Sequence, residues 1–107
     1  MDVVTKPGIE ITEESDQELE KPYHLILLDD QYHTYHYVVT MLGRIFGYEV
    51  EKAFAIACVV DSSGQAIVMT GSHDEVRRKQ ELIHSFGADP LMEESVGSMS
   101  AIIEPAV

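Results

Sequence analysis

The chain has 107 residues, 45% of them hydrophobic, and a formal charge of −12, which bounds it to one small domain with a modest core. Charge of that sign repels nucleic acid and anionic membrane and favours cationic partners, and no apolar run approaches the roughly 18 residues that cross a bilayer. The single cysteine, Cys58, excludes an internal disulfide and fits a reducing, cytoplasmic setting, and the opening Met1-Asp2-Val3-Val4 lacks the basic start of a signal peptide.

Residues 1–21 hold the acids Asp2, Glu10, Glu13, Glu14, Asp16, Glu18 and Glu20 against Lys6 and Lys21, with no aromatic residue. Such a segment buries too little apolar area to offset its ordering entropy and reads as a disordered acidic tail, with Pro22 marking the start of a domain over 22–107. Tyr23 to Leu28 reads as a strand that ends abruptly at Asp29 and Asp30. Thr34 is placed to cap a helix whose apolar positions are Val38, Met41, Leu42 and Ile45, with Gly47 as its stop. Val50, Ala53, Phe54, Ala57, Cys58 and Val60 mark one face of a second helix, in which Cys58 reads as a small buried hydrophobe rather than a reactive thiol.

Asp61-Ser62-Ser63-Gly64 is a turn, and Gln65 to Thr70 a short strand. Ser72 with Glu75 forms a capping box for a third helix, striped by Val76, Ile83 and Phe86 and closed by Gly87. A loop carrying Asp89-Pro90 and Glu93-Glu94 leads to a last strand, Met99 to Ile103. The order is β-α-α-β-α-β, an α/β (α+β) arrangement with helices packed on one face of a sheet.

Adjacent carboxylates just past a strand, followed by a cluster of Tyr and His, form a compact negative site suited to an amine. The bland alternative is that Asp29, Asp30 and Asp61 are turn residues, a common use of Asp. His24, His33 and His36 invite a metal reading, but no Cys pair or H-E-x-x-H accompanies them, and exposed histidine is the better account. Neither a nucleophile–His constellation nor a Gly-rich phosphate loop is present, so an enzyme is not expected.

The frame from Tyr23 to Val38, YHLILLDDQYHTYHYV, aligns with the opening motif Y-K-V-I-L-x-N-D-D-x-T-P-M-E-F-V of the ClpS protease adaptors. Leu42, Ile45, Phe46 and Ala53 fill that family's next pattern, Gly64-Gln65-Ala66 its G-x-A turn, and Asp74 with Lys79 its acid and lysine on the third helix. Over residues 22–104 the chain resembles this family, with a longer loop before the last strand. The resemblance implies a three-stranded antiparallel sheet with three helices. It also implies a non-enzymatic adaptor without cofactor or metal, which binds the N-terminal residue of substrates and delivers them to a Clp-type AAA+ unfoldase.

On that reading Asp29, Asp30 and Asp61 hold the substrate's α-amino group. Val38, Ala57, Val60 and Met99 line the pocket for the first side chain, with Tyr35 at its rim. Asp74 and Lys79 dock the unfoldase's N-terminal domain, and the alternative for that face, which also carries Arg77 and Arg78, is a solvated helix surface. The frame departs from the family pattern where Asp29 replaces Asn, Asp61 replaces His, Tyr35 replaces Met and His33-Thr34 replaces Thr-Pro. These departures imply altered specificity, or an interaction module that regulates its partner without reading N-termini.

Overall fold

A computed structural model describes residues 21–107, so apart from Lys21 the expected acidic tail lies outside the described residues. The elements are β1 (Tyr23–Leu28), α1 (Tyr35–Phe46), α2 (Val50–Ser63), β2 (Gln65–Gly71), α3 (His73–His84) and β3 (Ala101–Pro105). They form one antiparallel sheet in the order β2-β1-β3.

Central β1 alternates its side chains. Leu25 and Leu27 are fully buried towards the helices, where Met41, Leu42, Ala53, Val76 and Ile83 meet them with no exposed surface. Burial of such a Leu, Ile or Met contributes about 1.5–3 kcal/mol each. On the opposite face Ile26 lies between Ile67 and Ile102, its partners on the two neighbouring strands, a cross-strand row of the kind that fixes register. The β1–β2 ladder shifts between Leu25 and Ile26, leaving Val68 as the extra residue of a bulge. Tyr48 donates its hydroxyl to the Val68 carbonyl at 2.6 Å and so satisfies a group near that irregularity.

Local chemistry sets most helix ends. Thr34 caps α1, its hydroxyl accepting from the Tyr37 N–H at 3.1 Å. Gly47 and Gly64 end α1 and α2 with φ of 74° and 85°, the left-handed conformation that glycine adopts without strain. Ser72 and Glu75 exchange the two bonds of a capping box at the start of α3.

Four expectations need correction. First, the buried stripe of α2 is Ala53, Ala57 and Val60, while Val50 and Phe54 are largely exposed and Cys58 is only half-buried. The 53-57-60 spacing selects one face, and the neighbouring 50-54 row turns away from it. Second, α3 ends at His84, before Phe86, because the chain leaves the helix at Ser85 ahead of the left-handed Gly87.

Third, β3 runs Ala101–Pro105 rather than Met99 to Ile103. Met99 is drawn into the core ahead of the ladder, and Pro105 is tolerated because β3 is an edge strand. Helix α3 covers that edge at its start: Gln80 donates to the Ala101 carbonyl at 2.8 Å, and the Ala101 N–H donates to His84 Nε2 at 3.1 Å. Fourth, His33 is not a surface histidine: its side chain is 4% exposed, for reasons that belong to the site.

Candidate functional site

Strand β1 stops where two other segments meet it. The Leu28 N–H donates to the Ser100 carbonyl at 3.0 Å, and the Asp29 N–H to the Gly64 carbonyl at 2.9 Å. These bonds tie the end of β1 to the chain entering β3 and to the turn after α2, which brings Asp29, Asp30 and Asp61 to one place. A small cavity of about 60 Å³ opens there. Its walls include Asp29, Asp30, Tyr35, Val38, Ala57, Val60, Asp61 and Met99, together with His33 and Thr34. Every residue expected to hold an amine or line a side-chain pocket thus borders one space, acids together with buried apolar groups.

The three acids are not equivalent. Asp29 is exposed, and its carboxylate has no hydrogen bond or ion pair among the described residues. Asp61 accepts the Tyr35 hydroxyl at 2.7 Å. That bond, followed by desolvation and the charge of Asp61, pushes the Tyr35 hydroxyl up to about 12, so it stays a donor at neutral pH. The Tyr35 ring leans on Phe54 with centroids 5.4 Å apart, so this lining residue of the cavity is held at both its ring and its hydroxyl.

Asp30 is the most engaged acid. It accepts from the Tyr32 N–H at 2.8 Å and from His33 Nδ1 at 2.8 and 2.9 Å. His33 Nε2 lies 2.7 Å from the Gly97 carbonyl, which can only accept. The imidazole therefore ties Asp30 to the loop between α3 and β3, and it packs on Tyr37 with centroids 4.5 Å apart.

That loop is anchored from within. Asp89 is only 2% exposed. Its Oδ2 accepts from the Thr34 N–H at 2.7 Å and the Thr34 hydroxyl at 2.8 Å, and its Oδ1 from the Leu91 N–H at 2.9 Å. Its own N–H donates to Ser95 Oγ at 2.8 Å. Burial pushes the Asp89 carboxyl up, but the Thr34 and Leu91 donors and nearby His33 outweigh it and hold the group below the usual carboxylate range. The residue that caps α1 is therefore held by the loop, and α1 carries Tyr35 and Val38 into the cavity wall.

The other histidines do not join this site. His24 Nδ1 meets Thr70 Oγ1 at 2.8 Å across β1 and β2, and His36 is exposed on α1. On α3, Asp74 is exposed in the first turn. Lys79 is already engaged: it donates to the Ile45 carbonyl at 2.8 Å and lies 5.5 Å from the Phe46 ring, closing the end of α1. Asp89 and His33 were the residues that sequence reasoning missed. Asp89-Pro90 carried only a turn signal, and the loop that meets His33 on its other side, at Gly97, lies 64 residues away, although Asp30 lies only 3 away.

Architecture and cavity together define a small α/β domain with an acid-rimmed apolar cavity. The sequence model of the ClpS family, described as ATP-dependent Clp protease adaptor protein ClpS, matches residues 18–92. A Clp protease adapter protein ClpS from Rhodococcus jostii is 32% identical over 74 residues, which cover 69% of this chain and 66% of that protein. Its counterpart from Nocardia farcinica is 30% identical over 83 residues, covering 78% and 77%. Among solved structures, Agrobacterium tumefaciens ClpS2 bound to L-phenylalaninamide superposes with a TM-score of 0.70 at 21% identity, over 80% of this chain and 98% of that one. The chain belongs to the ClpS family.

Proposed function

We propose that this domain is a protease adaptor that grips the free N-terminus of a protein and delivers it to a Clp-type AAA+ unfoldase. The observation that carries the reading is the joint lining of one cavity by the acids Asp29, Asp30 and Asp61 and the apolar Val38, Ala57, Val60 and Met99. An ammonium group offers donors, an ionised carboxylate only accepts, and such charged bonds are the stronger kind. Asp29 receives the amine first, because its carboxylate is uncommitted. Asp61 joins when Tyr35 releases it, and Asp30, pinned by His33, adds charge and a fixed wall.

A volume of about 60 Å³ is the room of about two waters. A small first side chain enters with Tyr35 in place, whereas a bulky one requires Tyr35 to swing off Asp61. The binding of L-phenylalaninamide by ClpS2, a relative of the same fold, supports an occupant that carries a free amine, and Tyr35 is the residue through which specificity differs here. Exposed Asp74 and the basic row of α3 dock the unfoldase's N-terminal domain. Lys79 contributes there only if it leaves the end of α1, so its role is partly to shape that surface. The role places the chain in the cytoplasm, with the hydrolysis of ATP supplied by the unfoldase and no cofactor in the adaptor.

Fluorescence anisotropy with peptides differing only in their first residue, each free and N-acetylated, tests this reading. Binding confined to free N-termini and graded by first-residue size supports it. Equal binding of acetylated peptides would favour the second reading, a ClpS-fold module that regulates its partner without reading N-termini, for which the Tyr35–Asp61 bond between two residues of the cavity wall is the supporting observation.

A further inference from the structure

The loop from Ala88 to Ser98 does more than hold Thr34. Beside the first cavity lies a larger one of about 390 Å³, bordered by Asp30, Tyr32, His33, Glu94, Val96 and Gly97. Asp30 and His33 belong to both. The His33 imidazole, held between Asp30 and Gly97, borders both. Successive side chains of an extended peptide diverge to opposite sides, and consecutive Cα atoms lie about 3.8 Å apart. Two cavities that share His33 and Asp30 in their walls therefore suit the first and second side chains of one peptide.

We propose that this second cavity is a subsite for the residue following the bound N-terminus and that it selects a long basic side chain. The inference rests on the N-terminal reading above and names a determinant that the reading lacks. Glu94 is exposed, and its carboxylate has no hydrogen bond or ion pair among the described residues. The Tyr32 ring is 43% exposed and offers a face for a cation. Val96, 96% exposed, presents methyl groups at the cavity edge, where the methylene stem of Arg or Lys packs while its charged head reaches Glu94. The loop presenting these groups is fixed at both ends, by Asp89 on Thr34 and Ser95 and by Ser98 Oγ on the Gly87 N–H at 2.6 Å. An acidic second residue would face Glu94 and Asp30 and be repelled.

The test uses the full chain and a peptide series with one fixed first residue and Arg, Leu, Ala or Asp second, each free and N-acetylated. Arg should bind about threefold tighter than Ala and about tenfold tighter than Asp, the size of semi-exposed charge effects. Glu94→Gln should bring the Arg/Ala ratio close to one and leave the Ala peptide unchanged. Glu104→Gln removes an exposed charge at the far end of β3 and should leave all the ratios alone. A flat second-residue series in the unaltered chain overturns the subsite, as does an equal effect of Glu94→Gln and Glu104→Gln, or a preference for Leu that survives Glu94→Gln. If free amines are required while the series is flat, the subsite alone fails. If acetylated peptides bind equally well, the N-terminal reading fails and the subsite with it.

Discussion

Tyr35 and Asp61 compete with the substrate. Any amine that takes both oxygens of Asp61 must displace the hydroxyl bonded at 2.7 Å. Tyr35→Phe keeps the ring against Phe54 but removes the competitor, so peptides with a small first residue should bind several-fold tighter, in the range of one hydrogen bond of about 1 kcal/mol. Tyr35→Ala should instead admit aromatic first residues. Anisotropy with Ala-first and Phe-first peptides reads both effects, and an unchanged rank order in Tyr35→Ala would show that Tyr35 does not gate the cavity.

Asp89 acts at the same scale but on stability. Asp89→Ala strands the Thr34 and Leu91 N–H groups and should cost about 2–4 kcal/mol, seen as a lower urea midpoint. The folded Asp89 carboxyl lies below its unfolded value, which is about 3.9. Its contribution is therefore fully present above that pH and is lost as pH falls through the lowered value. Asp89→Asn should flatten this part of the acid-stability curve, and an identical curve would show the bonds to be incidental.

Among the elements, local chemistry was the most readable part of the sequence. Thr34, Gly47, Gly64 and the Ser72–Glu75 box each act within a few residues of themselves, so the helix ends they govern are visible without the fold. The errors arose where distant contacts decide. Val50 and Phe54 are apolar at helical spacing, yet the sheet meets the adjacent stripe. Met99 looks like a strand residue, but a place in the cavity wall holds it off the ladder.

At the site, the acids were legible because the end of β1 and the end of α2 supply them from short motifs, whereas the apolar positions read as core without the family resemblance. His33 and Asp89 were not legible, because each is buried by a loop distant in sequence. Shortening that loop by removing 92–96 should therefore do two things: lower stability through the loss of Ser95, and abolish the second-residue preference while leaving selection of the first residue. Thermal melts and the peptide series separate the two. Loss of first-residue selection in a variant that still melts cooperatively would place the loop inside the first cavity's function.

Across the whole molecule the excess of acids orders the partners. A chain of net charge −12 attracts an ammonium and weakens its hold as salt screens the field. The peptide's own amine loses its proton near about pH 8, so affinity should fall as pH rises past that point. Under the proposed function the acidic segment 1–21 serves delivery rather than peptide binding. Its deletion should spare peptide affinity and slow degradation of a tagged reporter by a Clp-type unfoldase and its peptidase. A fall in peptide affinity would instead make that segment part of the site.

The central claim is that carboxylates beside an apolar cavity read a free α-amino group, and the uncommitted Asp29 tests it most directly. The measurement is the ratio of affinities for a free and an N-acetylated peptide, in the unaltered chain and in Asp29→Ala. The account predicts a ratio of about tenfold or more in the unaltered chain, reduced severalfold by Asp29→Ala with the acetylated affinity unchanged, as loss of one charged hydrogen bond requires. A ratio near one in the unaltered chain, or a ratio that Asp29→Ala leaves intact, would contradict it.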